Sequence, residues 1–216
     1  MHDYYGRIEA ACERLGHPYG FNPLLLCSET AFKSDLMFAT LNPAGDRDYP
    51  THRGRDRYES GNAYLNRQTP LNNQIRQAFD HLQRRVLYSG TSHEFARTQI
   101  VTTQLVPFRS PDWASLHRPE ETVAFVKDLW GEIFSSWRPR AIVAVGGVTL
   151  ELITELLGPA LSQSSMPTGW GNVRMRLREC EGTRILGLPH LSRFQIFGRH
   201  QSEPFLETAF DWLVGQ

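Results

Sequence analysis

Short apolar segments that end at turn residues and lead into helical patterns constrain the fold of this chain most. The clearest is Ala141–Val145, in which every residue is apolar and which Gly146-Gly147 connects directly to a helical pattern at 149–157. A short apolar segment bounded by turn residues is typical of a strand buried on both faces of a parallel sheet. Similar segments predict strands at 35–41, 99–106 and 184–188, with a short edge strand at 173–178.

Helical patterns alternate with these strands along the chain. Apolar residues at helical spacing, with proline or glycine at the ends, predict helices up to Leu15 and at 71–86, 119–137, 149–157 and 203–214. This alternation predicts one α/β domain spanning 1–216, a three-layer α/β/α sandwich whose central sheet is mostly parallel and has about four strands. Sheets of this kind bind ligands beyond the carboxyl ends of their strands.

Composition excludes several classes of protein. The 216 residues suffice for one buried core, and their formal net charge of zero gives no global field that would attract nucleic acid. No apolar segment is long enough to span a membrane, and the N-terminus has no apolar signal core. We expect a cytoplasmic monomer that does not associate with membranes.

The cysteines and histidines show no metal-binding pattern. Cys12, Cys27 and Cys180 lie far apart in the sequence, which is typical of reduced core cysteines and too few for an iron–sulfur cluster. His190 and His200 lack a helical ligand spacing and an accompanying carboxylate cluster. We therefore expect neither a metal nor a cofactor.

The first polar motif follows the strand at 35–41. Asn42 would present an uncharged amide at the ligand-binding edge, where it can donate and accept hydrogen bonds. Pro43 fixes one backbone dihedral, and Gly45 permits a close backbone approach or a positive φ. An ordinary turn after a strand would have the same composition.

The second and third motifs follow two other predicted strands. Gln104 lies near the ligand-facing end of the strand at 99–106, before Arg109, and its amide is suited to reading a base edge. His190 follows the strand at 184–188 and is suited to stabilising developing negative charge. Arg193 and Phe194, in the same loop, are suited to binding phosphate and entering a base stack. A buried, satisfied amide and an ordinary surface histidine are the structural alternatives for Gln104 and His190.

The order and spacing of these motifs resemble the uracil-DNA glycosylase superfamily. Asn42 and Pro43 match the G-I-N-P-G signature of the mismatch-specific uracil/thymine glycosylases. Val106, Arg109 and Pro111 are in register with the N-V-V-x-x-R-P-P segment of the iron–sulfur branch, and His190 with Ser192 matches the H-P-S loop. The similarity covers about 36–194. Gln104 occupies the place of the family's uracil-reading asparagine, and the cluster cysteines are missing.

The resemblance implies a DNA glycosylase that hydrolyses the N-glycosidic bond of a deaminated or damaged base flipped into a cleft. Asn42 would orient the water, His190 would stabilise the departing base, and Gln104 would read its edge. Pro43 and Gly45 would shape the pocket, in which Tyr49 or Tyr64 would stack on the base. Binding of DNA would fall to Arg109, Ser192, Arg193 and Phe194.

Two other functions remain open from the sequence. A member of the same fold that binds nucleic acid or a nucleotide without cleaving it would fit the neutral charge and Gln104. A Rossmann-like domain that binds a phosphorylated metabolite at Gly146-Gly147 is weaker, because the G-x-G-x-x-G pattern is incomplete.

Overall fold

The computed structural model describes residues 4–45, 62, 64–65 and 68–216, and these form a six-stranded sheet with helices around it. The strand order is β2-β1-β3-β6-β5-β4. Strands β2, β1, β3 and β6 are mutually parallel, whereas β5 runs antiparallel to both β6 and β4. The strands are β1 Leu36–Thr40, β2 Val101–Gln104, β3 Ala141–Val145, β4 Ser162–Pro167, β5 Arg174–Cys180 and β6 Thr183–Leu188.

The helices begin at residues that favour helix initiation. Proline occupies the first turn of α2, α4 and α6, and the hydroxyl of Thr69 accepts a hydrogen bond from the backbone of Asn72 at the start of α2. The helices are α1 Tyr4–Leu15, α2 Pro70–Arg85, α3 Ser92–Thr98, α4 Pro119–Ser136, α5 Gly147–Leu157 and α6 Glu203–Val214, with a 3₁₀ helix at Glu29–Lys33.

Helices pack on both faces of the sheet because the strand side chains alternate between two cores. In β3, Val143 lies in the core under α2, α3 and α6, whereas Ile142 and Ala144 lie in the core under α1, α4 and α5. Phe38 and Met37 in β1 divide in the same way. The arrangement is compatible with a three-layer α/β/α sandwich and confirms the α/β class and the mostly parallel sheet.

The expected sheet of about four strands was too small. β4 and β5 form a hairpin that extends the sheet to six strands, so the segment predicted as an edge strand lies between β6 and β4. β4 escaped prediction because Ser162–Pro167 is polar and exposed, without an apolar alternation. The short helix Ser92–Thr98 also escaped prediction, since it buries only Phe95 and Ala96.

The connections place a topological switch point between β1 and β3. From β1 the chain continues to β2 on one side, and it then returns to β3 on the other side of β1 and continues to β6. In open α/β sheets the crevice at such a reversal, beyond the carboxyl ends of the strands, is the usual ligand site. The motifs at Asn42 and Gly146 follow the two strands that flank this point.

The cysteines behave as core residues. Cys12, Cys27 and Cys180 are buried and unpaired. Burial raises the pKa of Cys27 to about 12 and also raises the pKa values of Cys12 and Cys180. None of the helices in the described part of the chain is long and apolar enough to cross a membrane.

Candidate functional site

The residues expected to carry chemistry follow the carboxyl ends of adjacent parallel strands. Gln104 ends β2 and pairs in register with Thr40 at the end of β1; Asn42 comes two residues later. His190 comes two residues after β6 ends at Leu188, and β3 lies between β1 and β6. Neighbouring strands lie about 4.8 Å apart, so the strands leading to Asn42 and His190 are separated by about 10 Å.

Hydrogen bonds fix the orientation of the Asn42 amide. Its Nδ2 donates to Ser110 Oγ at 2.7 Å and to the Pro43 carbonyl at 3.3 Å. Ser110 Oγ in turn donates to the Asp112 carbonyl at 2.7 Å, so its proton is used and it must accept from Asn42. Asn42 Oδ1 has no hydrogen-bond partner among the described residues. The half-buried amide therefore offers an acceptor rather than a donor.

Gly45 allows the first motif to pack tightly against the second. A Cβ at position 45 would lie 3.0 Å from Arg109 Cβ and 3.2 Å from both Ser110 N and Tyr19 Cβ. The two loops also pair through backbone hydrogen bonds from Gly45 N to Ser110 O and from Ser110 N to Pro43 O. The sequence allowed two reasons for a glycine here, a close backbone approach and a positive φ. The structure shows the close approach.

Arg109 braces these loops from inside the protein. It is 5% exposed, its NH2 group donates to the Ala44 carbonyl at 2.6 Å, and its NH1 group donates to Asn22 Oδ1 at 3.2 Å. Burial and these bonds favour a structural role over the phosphate contact expected from the sequence. A guanidinium can serve both loops because its donors diverge from a rigid plane.

The same network orients Gln104. Since Arg109 can only donate, Asn22 presents Oδ1 to it and donates from Nδ2 to Gln104 Oε1 at 2.9 Å. Gln104 is half-buried, and its Nε2 has no hydrogen-bond partner among the described residues. The amide of Gln104 thus offers two N–H donors at the edge of the sheet.

His190 opens a compact turn after β6. Its carbonyl accepts hydrogen bonds from the backbone of Arg193 and Phe194, both at 2.9 Å, and its Nδ1 lies 2.8 Å from Ser192 Oγ. The ring is exposed. When the Ser192 hydroxyl donates to Nδ1, Nε2 carries the proton and becomes a donor toward solvent. Ser192 therefore contacts His190, and its expected role in binding DNA stays a prediction.

Glycines keep the edge open between Asn42 and His190. β3 ends at Gly146-Gly147, which begins α5, and Gly146 N is hydrogen-bonded to Leu188 O at 2.9 Å. Gly146 has a φ of +93°, which favours glycine, whereas a Cβ on Gly147 would meet no atom within 4 Å. The two residues that follow β3, between the two candidate catalytic loops, therefore contribute no side chain.

The stacking candidates have different outcomes. Tyr49 lies outside the described residues. Tyr64 is 8% exposed, its hydroxyl forms a 2.7 Å hydrogen bond with Thr40 Oγ1, and its ring lies edge-on to Phe38. This position makes Tyr64 a core residue at the base of the edge rather than an exposed stacking surface.

The remaining DNA-binding candidates, Arg193 and Phe194, follow His190 in the same turn. Arg193 is exposed, with its Cζ 5.4 Å from the Phe194 ring centroid. Phe194 is half-buried and lies edge-on to Trp170, with centroids 6.3 Å apart. Phe194 is therefore held by packing.

Sequence reasoning missed three features of this edge. It did not predict that Asn22 and Ser110 orient the two amides, that the glycines at 146–147 separate the Asn42 and His190 loops, or that Trp170 lies nearby. Ser110 adjoins Arg109 in a segment that was already noted. Asn22 precedes a proline just as Asn42 does, and this second Asn-Pro pair was the available signal. Trp170 had no signal, because it lies in the turn of the unpredicted hairpin.

One cluster among the described residues has the chemistry of a metal site. Ligand atoms of His81, Glu203 and Glu207 lie within 4.8 Å of one another between α2 and α6. Arg85 already pairs with Glu207 and with Asp211, the latter at 2.7 Å. Burial and then Arg84 lower the pKa of His81 to about 4, so its ring is neutral at pH 7. The Arg85 guanidinium thus already neutralises the carboxylates that a metal ion would need. This favours a structural role for the cluster over metal binding.

The sequence matches no protein-family model and no curated protein. The geometry of the edge is therefore the basis on which a function can be argued.

Proposed function

We propose that this protein is a base-excision glycosylase with a uracil-DNA glycosylase-like fold, which hydrolyses the N-glycosidic bond of a deaminated or damaged base in DNA. The observation that supports it best is the fixed amide of Asn42, which presents an acceptor on one side of the glycine gap while His190 follows the strand on the other side. The strands that lead to these two residues are about 10 Å apart, a spacing at which a flat heterocycle could lie between them.

In the proposed reaction, the bond between the sugar C1′ and the base nitrogen breaks and its electron pair leaves with the base. The resulting sugar cation adds water at C1′, and the released proton goes to solvent. Because water adds readily to such a cation, no strong base is needed. Asn42 Oδ1, the unused acceptor of its amide, would hold a water hydrogen and direct the oxygen toward C1′.

The departing base carries negative charge on its ring oxygens, and His190 would stabilise this charge. With Ser192 donating to Nδ1, the Nε2–H of a neutral imidazole is the donor. Gln104 would contribute specificity, because the network through Asn22 directs its N–H groups, rather than its carbonyl, to the ligand. A base with a carbonyl at its reading edge, such as uracil or hypoxanthine, suits these donors.

The test is a panel of duplex and single-stranded oligonucleotides containing uracil, hypoxanthine or a mismatch, followed by alkali to reveal abasic sites. We expect cleavage of at least one lesion by the unaltered protein. His190→Ala should slow single-turnover release of the base about 100- to 1,000-fold, because one oxyanion donor is removed.

The matched control is His93→Ala, an exposed histidine in α3 that does not follow a strand. It should cleave at the unaltered rate, and both variants should bind DNA as the unaltered protein does. Cleavage by His190→Ala at nearly the unaltered rate would refute the role of His190, and a panel left intact by the unaltered protein would refute the enzyme.

A non-cleaving nucleic-acid binder of the same fold is the second candidate. The engagement of Gln104 Oε1 by Asn22 favours it, because the NH2 group that remains suffices for binding but limits how a base is oriented for reaction. Binding of lesion-containing DNA without abasic sites in the same panel would select this function.

A further inference from the structure

Acidic residues are absent from two segments that meet beside His190. Segments 162–178 and 183–202 contain six arginines and two histidines but no aspartate or glutamate, in a chain whose formal net charge is zero. The first segment holds β4 and most of β5, and the second holds β6 and the loop after it. Charge segregation on this scale leaves a local positive field in a neutral protein.

The β4–β5 hairpin brings these segments together at the edge that carries His190. Arg176 in β5 pairs with Gly187 in β6, so the start of β5 lies beside the carboxyl end of β6. The hairpin turn packs closely on the second segment: a Cβ on Gly169 would lie 2.2 Å from the Gln201 carbonyl oxygen. The hairpin therefore extends the ligand-binding edge of the sheet beyond β6.

An arginine stacks on an aromatic ring where the two segments meet. Arg199 Cζ lies 4.1 Å from the centroid of the Trp170 ring, and Phe194 contacts the same indole edge-on. The Nε of Arg199 is buried without a hydrogen-bond partner in the described structure. Stacking holds a guanidinium in place, which reduces the conformational entropy that a bound phosphate would have to remove.

The arginines of these segments divide into paired and unpaired groups. Arg176 and Arg178 both bind Glu151, away from the edge. Arg174 projects from the same face of β5 as this pair and contacts Ser165 across the hairpin. Arg193 and Arg199, in the loop after β6, have no carboxylate partner among the described residues.

We propose that Trp170, Arg193, Phe194 and Arg199 form a surface, here named the hairpin surface, that binds the phosphate backbone of DNA next to the candidate site. The identity of the ligand rests on the proposed function. The hairpin surface extends that function: it assigns binding of the DNA backbone beside the excised base to a hairpin that the sequence did not predict. Guanidinium groups match phosphate geometry, and a stacked pair fixes their direction.

The experiment measures binding of an undamaged fluorescent duplex by anisotropy across a range of salt concentrations. Arg193→Gln/Arg199→Gln removes two charges from the hairpin surface. The control, Arg84→Gln/Arg140→Gln, removes two exposed charges from the end of α2 and the start of β3, at the opposite edge of the sheet. Each lost phosphate contact should lower the slope of log affinity against log salt by about 0.9.

In the hairpin-surface variant, we expect the magnitude of the slope of log affinity against log salt to fall by about 1.8. The variant should bind DNA at least about tenfold more weakly than the unaltered protein at low salt. The control should match the unaltered protein. Arg199→Lys keeps the charge and should retain the slope, which separates loss of charge from misfolding; circular dichroism and thermal unfolding check each variant.

Equal losses in the two double variants, or a salt-independent affinity of the unaltered protein, would overturn the hairpin surface. Failure of the proposed function is a different outcome: the lesion panel is left uncleaved while the salt slope still depends on Arg193 and Arg199. Cleavage of the panel with an unchanged slope in the hairpin-surface variant would overturn the hairpin surface alone.

Discussion

Asn42 Nδ2 donates a 2.7 Å hydrogen bond to Ser110 Oγ across 68 positions of sequence. The bond joins the loop after β1 to the loop after β2, and the bond from Ser110 to the Asp112 carbonyl completes it. The Ser110 hydroxyl and the Asp112 carbonyl thus set which end of the Asn42 amide faces a ligand. The arrangement can be tested for its stability and its function separately.

Ser110→Ala should destabilise the fold and impair the site. Ser110 is 1% exposed, so its removal leaves the Asn42 amide and the Asp112 carbonyl each short of a partner, at a cost of about 1–3 kcal/mol in the free energy of unfolding. If Asn42 positions water, cleavage by the folded variant should fall in kcat with little change in KM. Urea unfolding measures the first effect, and Ser135→Ala, on the exposed face of α4, is the control. An unchanged unfolding midpoint would contradict the role of this hydrogen bond.

Gly45→Ala should destabilise the protein, whereas Gly147→Ala should not. At position 45 the new methyl group meets Arg109 Cβ at 3.0 Å and backbone at 3.2 Å, and overpacking of this kind costs about 1–3 kcal/mol. At position 147 the methyl group meets nothing within 4 Å. Thermal unfolding of the two variants side by side tests the packing of the two loops. Equal melting temperatures would refute it.

Arg85→Ala should weaken the docking of α6 on α2 much more than Arg84→Ala. The side chain of Arg85 is 5% exposed and binds Glu207 and Asp211, whereas that of Arg84 is 57% exposed and binds Glu207 at 3.4 Å. We expect a loss of about 2 kcal/mol for Arg85 and under about 0.5 kcal/mol for Arg84, because exposed ion pairs contribute little. Denaturant unfolding of both variants measures the difference, and similar losses would contradict the structural role of the cluster.

Stability should fall with pH below about 6.5, because two buried histidines resist protonation. Burial, and then His117, lower the pKa of His17 to about 4, and burial with nearby Arg84 lowers that of His81 to about 4. The unfolded chain takes up these protons near pH 6.5 and the folded chain near pH 4. The stabilisation from neutral histidines is therefore complete above pH 6.5 and is lost progressively as pH falls toward 4.

Each histidine contributes at most about 1.4 kcal/mol per pH unit across this window. His17→Phe should keep the stack on Phe108, whose ring lies 4.0 Å away, and should reduce the difference in unfolding free energy between pH 7 and pH 5. Substitution of the exposed His93 by Gln is the control. A pH dependence that stays the same in His17→Phe would show that His17 takes up its proton at the same pH in the folded protein and in the unfolded chain.

Local patterns predicted much of the layered fold. Ala141–Val145 and Glu203–Val214 have the bounds that the sequence indicated, because apolar periodicity and flanking breakers are properties of neighbouring residues. The polar strand Ser162–Pro167 was missed for the same reason. Its place in the sheet depends on pairing with Arg174–Cys180, and no local apolar pattern reports that pairing.

The sequence by itself determined that Asn42, Gln104 and His190 follow strands of a mostly parallel sheet, since turn residues after apolar segments carry that information locally. Only the tertiary structure decided that Arg109 is buried, that Asn22 and Ser110 orient the two amides, and that Trp170 lies beside Phe194. These relationships depend on which strands become neighbours and which atoms lose water. Both are settled by packing across long sequence separations, where each group must find a partner or stay exposed.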